Sequence, residues 1–271
     1  MKDPRGAAID LEPLAWARAA VGALLLLRTT PLLAPLDLWF LRDTLPLLGW
    51  PQAGWSATPG LLALPAGVVE ALCVLRTLGA VALMLGVFAR AGGIVAGIAG
   101  YLVMAHDPFG LVFTLHLLYQ AAILLALTDA GSTFALRPAA VRSAASGVTL
   151  MRLWIASIYF WAGIAKLRPD WLDGRTLELF WHGGAIHGAL ADMVVGTPVR
   201  RALFGTGTAL WETALGPLLL WPRTRRFALL GAYLFHAGLE LTARPDLLGW
   251  AMASLLLCFV DRARSSPVSA C

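Results

Sequence analysis

Lys166 is the residue whose type and position best suit acid–base chemistry. The chain has only two lysines, Lys2 and Lys166, among 21 basic residues, so it nearly always uses arginine where a cation is needed. Arginine keeps its proton in proteins, whereas a lysine in an apolar environment releases it more readily and can act as a base. Lys166 ends a long apolar run. The alternative is an interfacial lysine whose stem lies along apolar surface while its ammonium reaches water.

The residues that precede Lys166 suggest how it is accommodated. On a helix, Gly163 and Tyr159 lie three and seven residues before the lysine and share its face. We expect the small Gly163 to leave room beside the lysine stem, with Tyr159 one turn further along the same face.

Two apolar segments each carry a histidine with polar partners on one helical face. The two sets are His116, Tyr119 and Gln120, and Tyr233, His236 and Glu240. A histidine with such partners can relay protons or orient a quinone-like ring. The alternative for either histidine is a hydrogen bond that packs one helix against another.

Further charged residues fall inside apolar segments. They are Arg18, Arg28, Glu70, Arg76 and Glu212. A charge near the bilayer centre costs about 2.5–3.5 kcal/mol on insertion scales, so each is expected to face a polar interior. Internal ion pairing is the simplest expectation for all five, and for Glu212 a role in binding a substrate or cofactor is an equal alternative.

The composition indicates the solvent in which these residues lie. Hydrophobic residues make up 59% of the 271 residues and charged residues 14%, whereas soluble domains carry about 25% charged residues. We therefore predict an all-α, polytopic transmembrane bundle of about eight spans. The net charge of +5 resides largely in short loops, which favours the positive-inside rule over nucleic-acid binding.

The predicted organisation is a cytoplasmic segment 1–13, a transmembrane domain 14–260 and a disordered cytoplasmic tail 261–271. The eight predicted spans are Leu14–Leu33, Leu62–Phe88, Ala91–Met104, Leu111–Leu127, Leu150–Lys166, Thr206–Trp221, Phe227–Leu241 and Leu247–Val260. Loop arginines favour cytoplasmic termini in a multi-pass protein of the cell inner (plasma) membrane.

The long loop 167–205 after the fifth span is amphipathic through Leu177–Trp181 and Ile186–Val195. On the predicted topology it lies on the non-cytoplasmic side. Long connections in compact bundles are usually functional, so we interpret it as interfacial helices or a re-entrant cap, with a plain surface loop as the alternative. No zinc, phosphate-loop or serine-hydrolase motif is present, and no metal is predicted.

Two stretches of the sequence carry a family resemblance. Residues 159–174 read YFWAGIAKLRPDWLDG, and residues 211–236 contain Trp211-Glu212, a PRTRR segment from Pro222 and Phe235-His236. Both resemble the HTTM family, whose best-known member is the vitamin K-dependent γ-glutamyl carboxylase. A weaker match begins at His116, like the family's histidine-containing fourth helix.

The resemblance implies a chemistry. In the carboxylase, the lysine of the matching stretch is taken as the base that deprotonates vitamin K hydroquinone. Oxygenation then gives a stronger base, which removes a γ-proton from a peptide glutamate before carbon dioxide adds. By resemblance Lys166 would be the base, with His116 and His236 assisting. Substrate and cofactor contacts would then fall to the polar and aromatic residues around them: Tyr159, Gln120, Glu212, Tyr233 and Trp171.

The chain also departs from the carboxylase. Phe113 stands where the carboxylase has an additional fourth-helix histidine, and the carboxylase's large lumenal domain is not represented in these 271 residues. We expect a membrane enzyme that uses reduced vitamin K or another quinol and modifies an exported peptide or a small substrate. The alternatives are a non-enzymatic maturation or immunity factor for such a peptide and, third, a small transporter. Membrane lipid is the other expected partner.

Overall fold

The computed structural model describes residues 11–29, 64–106, 113–141, 145–243 and 247–260, and this part of the chain is helical without β-strands. An isolated antiparallel bridge joins Ile186 to Ala243. The helices are α1 (Glu12–Thr29), α2 (Ala66–Leu85), α3 (Ala89–His106), α4 (Phe113–Ala126), α5 (Ala145–Ala165), α6 (Pro169–Leu172), α7 (Arg175–His182), α8 (Ala189–Val195), α9 (Pro198–Leu220), α10 (Arg225–Thr242) and α11 (Leu248–Leu256), which continues as a 3₁₀ turn Leu257–Phe259.

The predicted all-α class is confirmed, and each predicted span overlaps one of the longer helices. Two segments, Gly67–Leu85 and Ser146–Ala165, are long and apolar enough to cross a membrane. Others are shorter: α4 has 14 residues and α11 has 9, whereas a perpendicular span needs about 20. The number of crossings therefore stays a prediction.

Several predictions concern residues outside the described ranges. They are most of the segment 1–13, the end of the first span, the start of the second, the tail 261–271 and several of the loop arginines.

Small residues bring the first helices together. Gly79 of α2 lies against Ala96 of α3, and Gly97 of α3 lies against Ile123 of α4. Because glycine has no side chain, two helix backbones approach closely at such positions, as is common between membrane helices. The result is a group formed by α1 to α4, with α1 packed on α2 and α4.

The second half of the bundle is built on α5 and α9. Gly163 of α5 lies against Thr213 of α9, and Gly216 of α9 lies against Ala156 of α5, so the two helices run antiparallel. Helix α10 packs beside α9, and α11 contacts α1, α4 and α10. Helix α11 therefore connects the two halves.

The connection between α5 and α9 contains three short helices, α6 to α8. It is shorter than the predicted loop 167–205, because α9 begins at Pro198, where the Thr197 side chain accepts a hydrogen bond from the Arg200 backbone. Arg201 of α9 pairs with Glu178 of α7 at 2.6 Å. We call α6 to α8 the cap; its position relative to a membrane stays a prediction.

Candidate functional site

Lys166 and Glu212 form a close ion pair between α5 and α9. Lysine Nζ lies 2.5 Å from glutamate Oε2, and the two side chains are 23% and 10% exposed. The ion pairing expected for Glu212 is therefore present, and its partner is the candidate base. A mutually neutralising pair is less costly to place among apolar helices than an isolated ammonium.

Gly163 positions this pair in a way that differs from the expectation. The glycine does not leave a space beside the lysine stem, because the Thr213 backbone occupies that space. The close contact instead brings α5 and α9 near enough for Lys166 to reach Glu212, one residue before Thr213. The expectation was wrong because it considered the α5 helix alone, without the backbone of α9 that packs against Gly163.

Replacing Gly163 with alanine is therefore expected to destabilise the protein by about 1–3 kcal/mol. The added Cβ would overlap the Thr213 backbone nitrogen and lie 2.8 Å from the Ala209 carbonyl oxygen. Thermal unfolding in lipid nanodiscs measures the change. Gly207 of α9 is the matched control, since its added Cβ meets nothing within 4 Å. Its alanine variant should keep or raise the melting temperature; an equal response of both variants would contradict the packing role of Gly163.

Trp171 lies beside the lysine. Its ring centroid is 5.3 Å from Lys166 Nζ, within the range of a cation–π contact. The indole nitrogen donates to the Gly205 carbonyl oxygen at 3.0 Å, which anchors α6 on α9. Lys166 Nζ also donates to the Ala162 carbonyl oxygen at 3.2 Å. The cap therefore supplies one aromatic wall of the site.

Tyr159 and His236 form a second buried contact next to the ion pair. The tyrosine hydroxyl lies 2.7 Å from His236 Nε2, and both residues are buried between α5 and α10. Tyr159 lies on α5 between Ala156 and Gly163, two residues that contact α9. Within the described residues, His236 Nδ1 is buried and has no hydrogen-bond partner. That nitrogen is the clearest unsatisfied polar atom at the site.

Replacing Tyr159 with phenylalanine is expected to destabilise the protein by about 1–3 kcal/mol, because His236 would then lose its hydrogen bond while staying buried. Thermal unfolding of the variant in nanodiscs measures this cost. Tyr101→Phe is the paired comparison, since that tyrosine is only partly buried. A Tyr159→Phe variant as stable as the parent would show that the contact contributes nothing to the fold.

The other polar residues of α10 point elsewhere. The Tyr233 hydroxyl donates to the Ala253 carbonyl oxygen of α11 at 3.2 Å. Glu240 lies against Gly249 of α11, and its Oε1 has no hydrogen-bond partner within the described residues. The single polar face expected for Tyr233, His236 and Glu240 is therefore divided between two neighbouring helices.

His116 belongs to a separate cluster between α3, α4 and α5. Its Nδ1 lies 3.0 Å from the Tyr101 hydroxyl. Gln120 accepts a hydrogen bond from the Trp154 indole at 3.0 Å. Tyr101 and Trp154 were not among the predicted site residues; a polar aromatic residue inside an apolar helix is the signal that identifies them. Tyr119 turns away, toward Arg76 of α2.

The helix register places the two clusters at a similar height. Gly147 of α5 lies against Leu127, the residue after α4, and Trp154 pairs with Gln120, so α4 and α5 run antiparallel. If the same antiparallel pairing continues, His116 of α4 lies opposite the turn of α5 that contains Tyr159. No hydrogen bond among the described residues joins His116 to Lys166, Glu212 or His236.

In the described part of the chain, Arg18 and Arg76 contact hydrogen-bond acceptors other than carboxylates. Arg18 donates to backbone carbonyl groups, and Arg76 donates to the Tyr119 hydroxyl and the Thr29 carbonyl oxygen. Glu70 is exposed. The expectation was wrong for Arg18, because the free carbonyl groups at a helix end are an equally good partner for a guanidinium.

Helix α5, one of the two described helices long and apolar enough to cross a membrane, contributes to both the ion pair and the tyrosine–histidine contact, which is typical of a membrane protein with a polar interior. The family model described as "HTTM domain" matches residues 9–262, and the chain therefore belongs to the HTTM family. The resemblance seen in the sequence motifs is confirmed. The HTTM domain occurs in vitamin K-dependent carboxylase, so this is a membrane domain related to that carboxylase family. No curated protein and no solved structure matches the chain.

Proposed function

We propose that this protein is a quinol-dependent membrane enzyme of the carboxylase type, with Lys166 as its base. The observation that carries the proposal is that three residues meet where α5, α9 and the cap come together. Lys166 forms an ion pair with Glu212 and a cation–π contact with Trp171. Tyr159 and His236 lie alongside. These are residues from the two motif stretches that resemble the family.

The residues present fit a quinol. The buried Nδ1 of His236 lacks a partner in the described part of the chain, and a quinol hydroxyl is a suitable one. The Trp171 ring offers an aromatic surface beside Lys166, which is still partly exposed. A bound reduced vitamin K or related quinol would supply, on oxidation by O₂, the strong base that removes a proton from the substrate.

Glu212 gives Lys166 a way to become a base. In the ion pair, the lysine is a protonated ammonium and the glutamate is a carboxylate. Transfer of one proton from Nζ to Oε2 leaves a neutral amine beside a neutral carboxylic acid, with no change in net charge. A low-dielectric interior disfavours the charged forms, which lowers the cost of this transfer. Lys166 can then accept a proton, while Tyr159 orients His236.

The proposed setting is a bacterial inner membrane, with several crossings, cytoplasmic termini and the cap on the opposite side. Loop arginines support this orientation. His116 would assist from the neighbouring cluster at the same height, with Gln120 and Tyr233 as more distant contacts. An exported peptide or a small acidic molecule is the proposed substrate.

The test is turnover by the purified protein in proteoliposomes. Reduced quinones, oxygen and ¹³C-bicarbonate are supplied with candidate peptides, and epoxide and ¹³C incorporation are followed by mass spectrometry. Epoxide formation above that of protein-free liposomes supports the proposal. Lack of epoxide with every reduced quinone would contradict it.

A second candidate function is non-enzymatic binding of an exported peptide, as a maturation or immunity factor. The cap and the start of α9 support it, because they expose several large apolar side chains: Leu179, Met193, Val199 and Leu203. Exposed apolar patches often mark interaction or membrane surfaces. Peptide crosslinking to the cap without quinol turnover would favour this function.

A further inference from the structure

The turn between α9 and α10 forms a cleft of about 460 Å³ lined by Pro217, Leu220, Trp221, Pro222 and Arg223. We call it the basic cleft. It lies at the end of α9 opposite the cap, which packs on the first half of that helix. It is therefore separate from the Lys166 site.

The three arginines at this turn have different roles. The Arg225 side chain donates to the carbonyl oxygens of Leu219 at 3.0 Å and Leu220 at 3.5 Å. It therefore satisfies free carbonyl groups at the C-terminal end of α9. Arg223 and Arg226 are exposed, and within the described residues neither forms a hydrogen bond or an ion pair. Two guanidinium groups are therefore available for an anion.

The segment around these arginines is basic. The sequence contains no acidic residue between Glu212 and Glu240. At the same end of the bundle, the buried Asp129 is already paired with Arg90 at 2.5 Å. An anion is the ligand that this charge distribution favours, since planar guanidinium groups bind phosphate with two parallel hydrogen bonds.

The surroundings of the basic cleft indicate a lipid anion. Trp221 is 59% exposed and Phe227 is 78% exposed, and in the sequence one precedes and the other follows the arginines. Aromatic residues next to basic residues are typical of the membrane–water interface, where the rings lie at the headgroup level. A soluble anion would gain nothing from these rings, whereas an acyl chain would contact them.

We propose that the basic cleft binds the phosphate headgroup of an anionic phospholipid through Arg223, which lines it, with Arg226, three residues further along the chain, as the second guanidinium. The chain then has a lipid site at one end of the bundle and its candidate reactive site toward the other. This proposal does not depend on the enzymatic one.

Native mass spectrometry of the full chain, titrated with dioleoyl phosphatidylglycerol or dioleoyl phosphatidylcholine, tests the site. We expect the protein to prefer phosphatidylglycerol. The R223Q/R226Q variant should bind it roughly 25-fold more weakly, since one basic residue near an anionic surface changes affinity about fivefold. The R223K/R226K variant keeps both charges and should retain most of the binding. Its binding would show that the loss in the R223Q/R226Q variant comes from the missing charges and not from misfolding.

The matched control is R168Q/R175Q, which removes the same charge from exposed arginines at the cap end. It should bind phosphatidylglycerol like the parent. Equal losses in the two glutamine variants, or equal affinity of the parent for both lipids, would overturn the proposal. Displacement of the lipid by millimolar glycerol phosphate would also overturn it, because the site would then recognise a soluble phosphate.

Discussion

Replacing Lys166 with arginine is expected to reduce quinol epoxidation by about 10²–10⁴-fold, the usual contribution of a general base. The guanidinium can still pair with Glu212, so the fold should be kept, but arginine does not release its proton in proteins. This variant therefore separates the ion pair from the base. Epoxide formation in proteoliposomes and thermal unfolding in nanodiscs are the two measurements.

The Lys166 prediction has a natural control. Lys2→Arg removes the other lysine of the chain and should leave epoxidation unchanged. Glu212→Gln should also lower the activity, because the lysine would lose the group that takes up its proton. An active Lys166→Arg enzyme would show that the pair holds α5 and α9 together without acting as a base.

Replacing Arg18 with methionine is expected to lower the free energy of unfolding by about 3 kcal/mol or more, since several buried acceptors would lose their partner at once. Arg18 is 1% exposed. Its guanidinium donates to the carbonyl oxygens of Leu83, Met84, Ala130 and Phe134. One side chain therefore satisfies the end of α2 and joins it to the segment after α4.

Two variants define the Arg18 experiment. Arg18→Lys keeps the charge but places its N–H donors on one nitrogen instead of three, so it reaches fewer of the four carbonyl oxygens and an intermediate loss is expected. Arg168→Met removes an exposed arginine from a surface ion pair with Asp170 and should change the stability by less than about 1 kcal/mol. Chemical or thermal unfolding in nanodiscs gives both values. A loss for Arg18→Met as small as that for Arg168→Met would contradict the proposed role of its four acceptors.

Much of the fold was predictable because membrane helices leave a local signal. Each of the eight predicted spans overlaps a longer helix of the structure. The start of α9 was placed too late, at Thr206 instead of Pro198, because arginines in its first turns resemble a loop. A hydropathy pattern detects only the apolar part of a helix, so it does not detect polar first turns such as those of α9.

The candidate site was predictable as a set of residue types but not as a set of contacts. Lys166 and Glu212 were both singled out as unusual charges, yet only as separate residues of different spans. Gly163 was expected to leave room beside the Lys166 stem, because that expectation took account of only one helix. The partner of Lys166 depends on how far α9 lies from α5, and that distance follows from backbone contacts that no single segment contains.

The sequence by itself determined the helical membrane class, the HTTM family and the identity of the rare ionisable residues, because composition, apolar length and motifs are properties of short stretches of chain. Only the tertiary structure decided that Lys166 meets Glu212, that Tyr159 meets His236 and that Arg18 binds carbonyl groups. The physical reason is register: glycine contacts fix the relative height of two helices, and that height selects which side chains come within hydrogen-bonding distance.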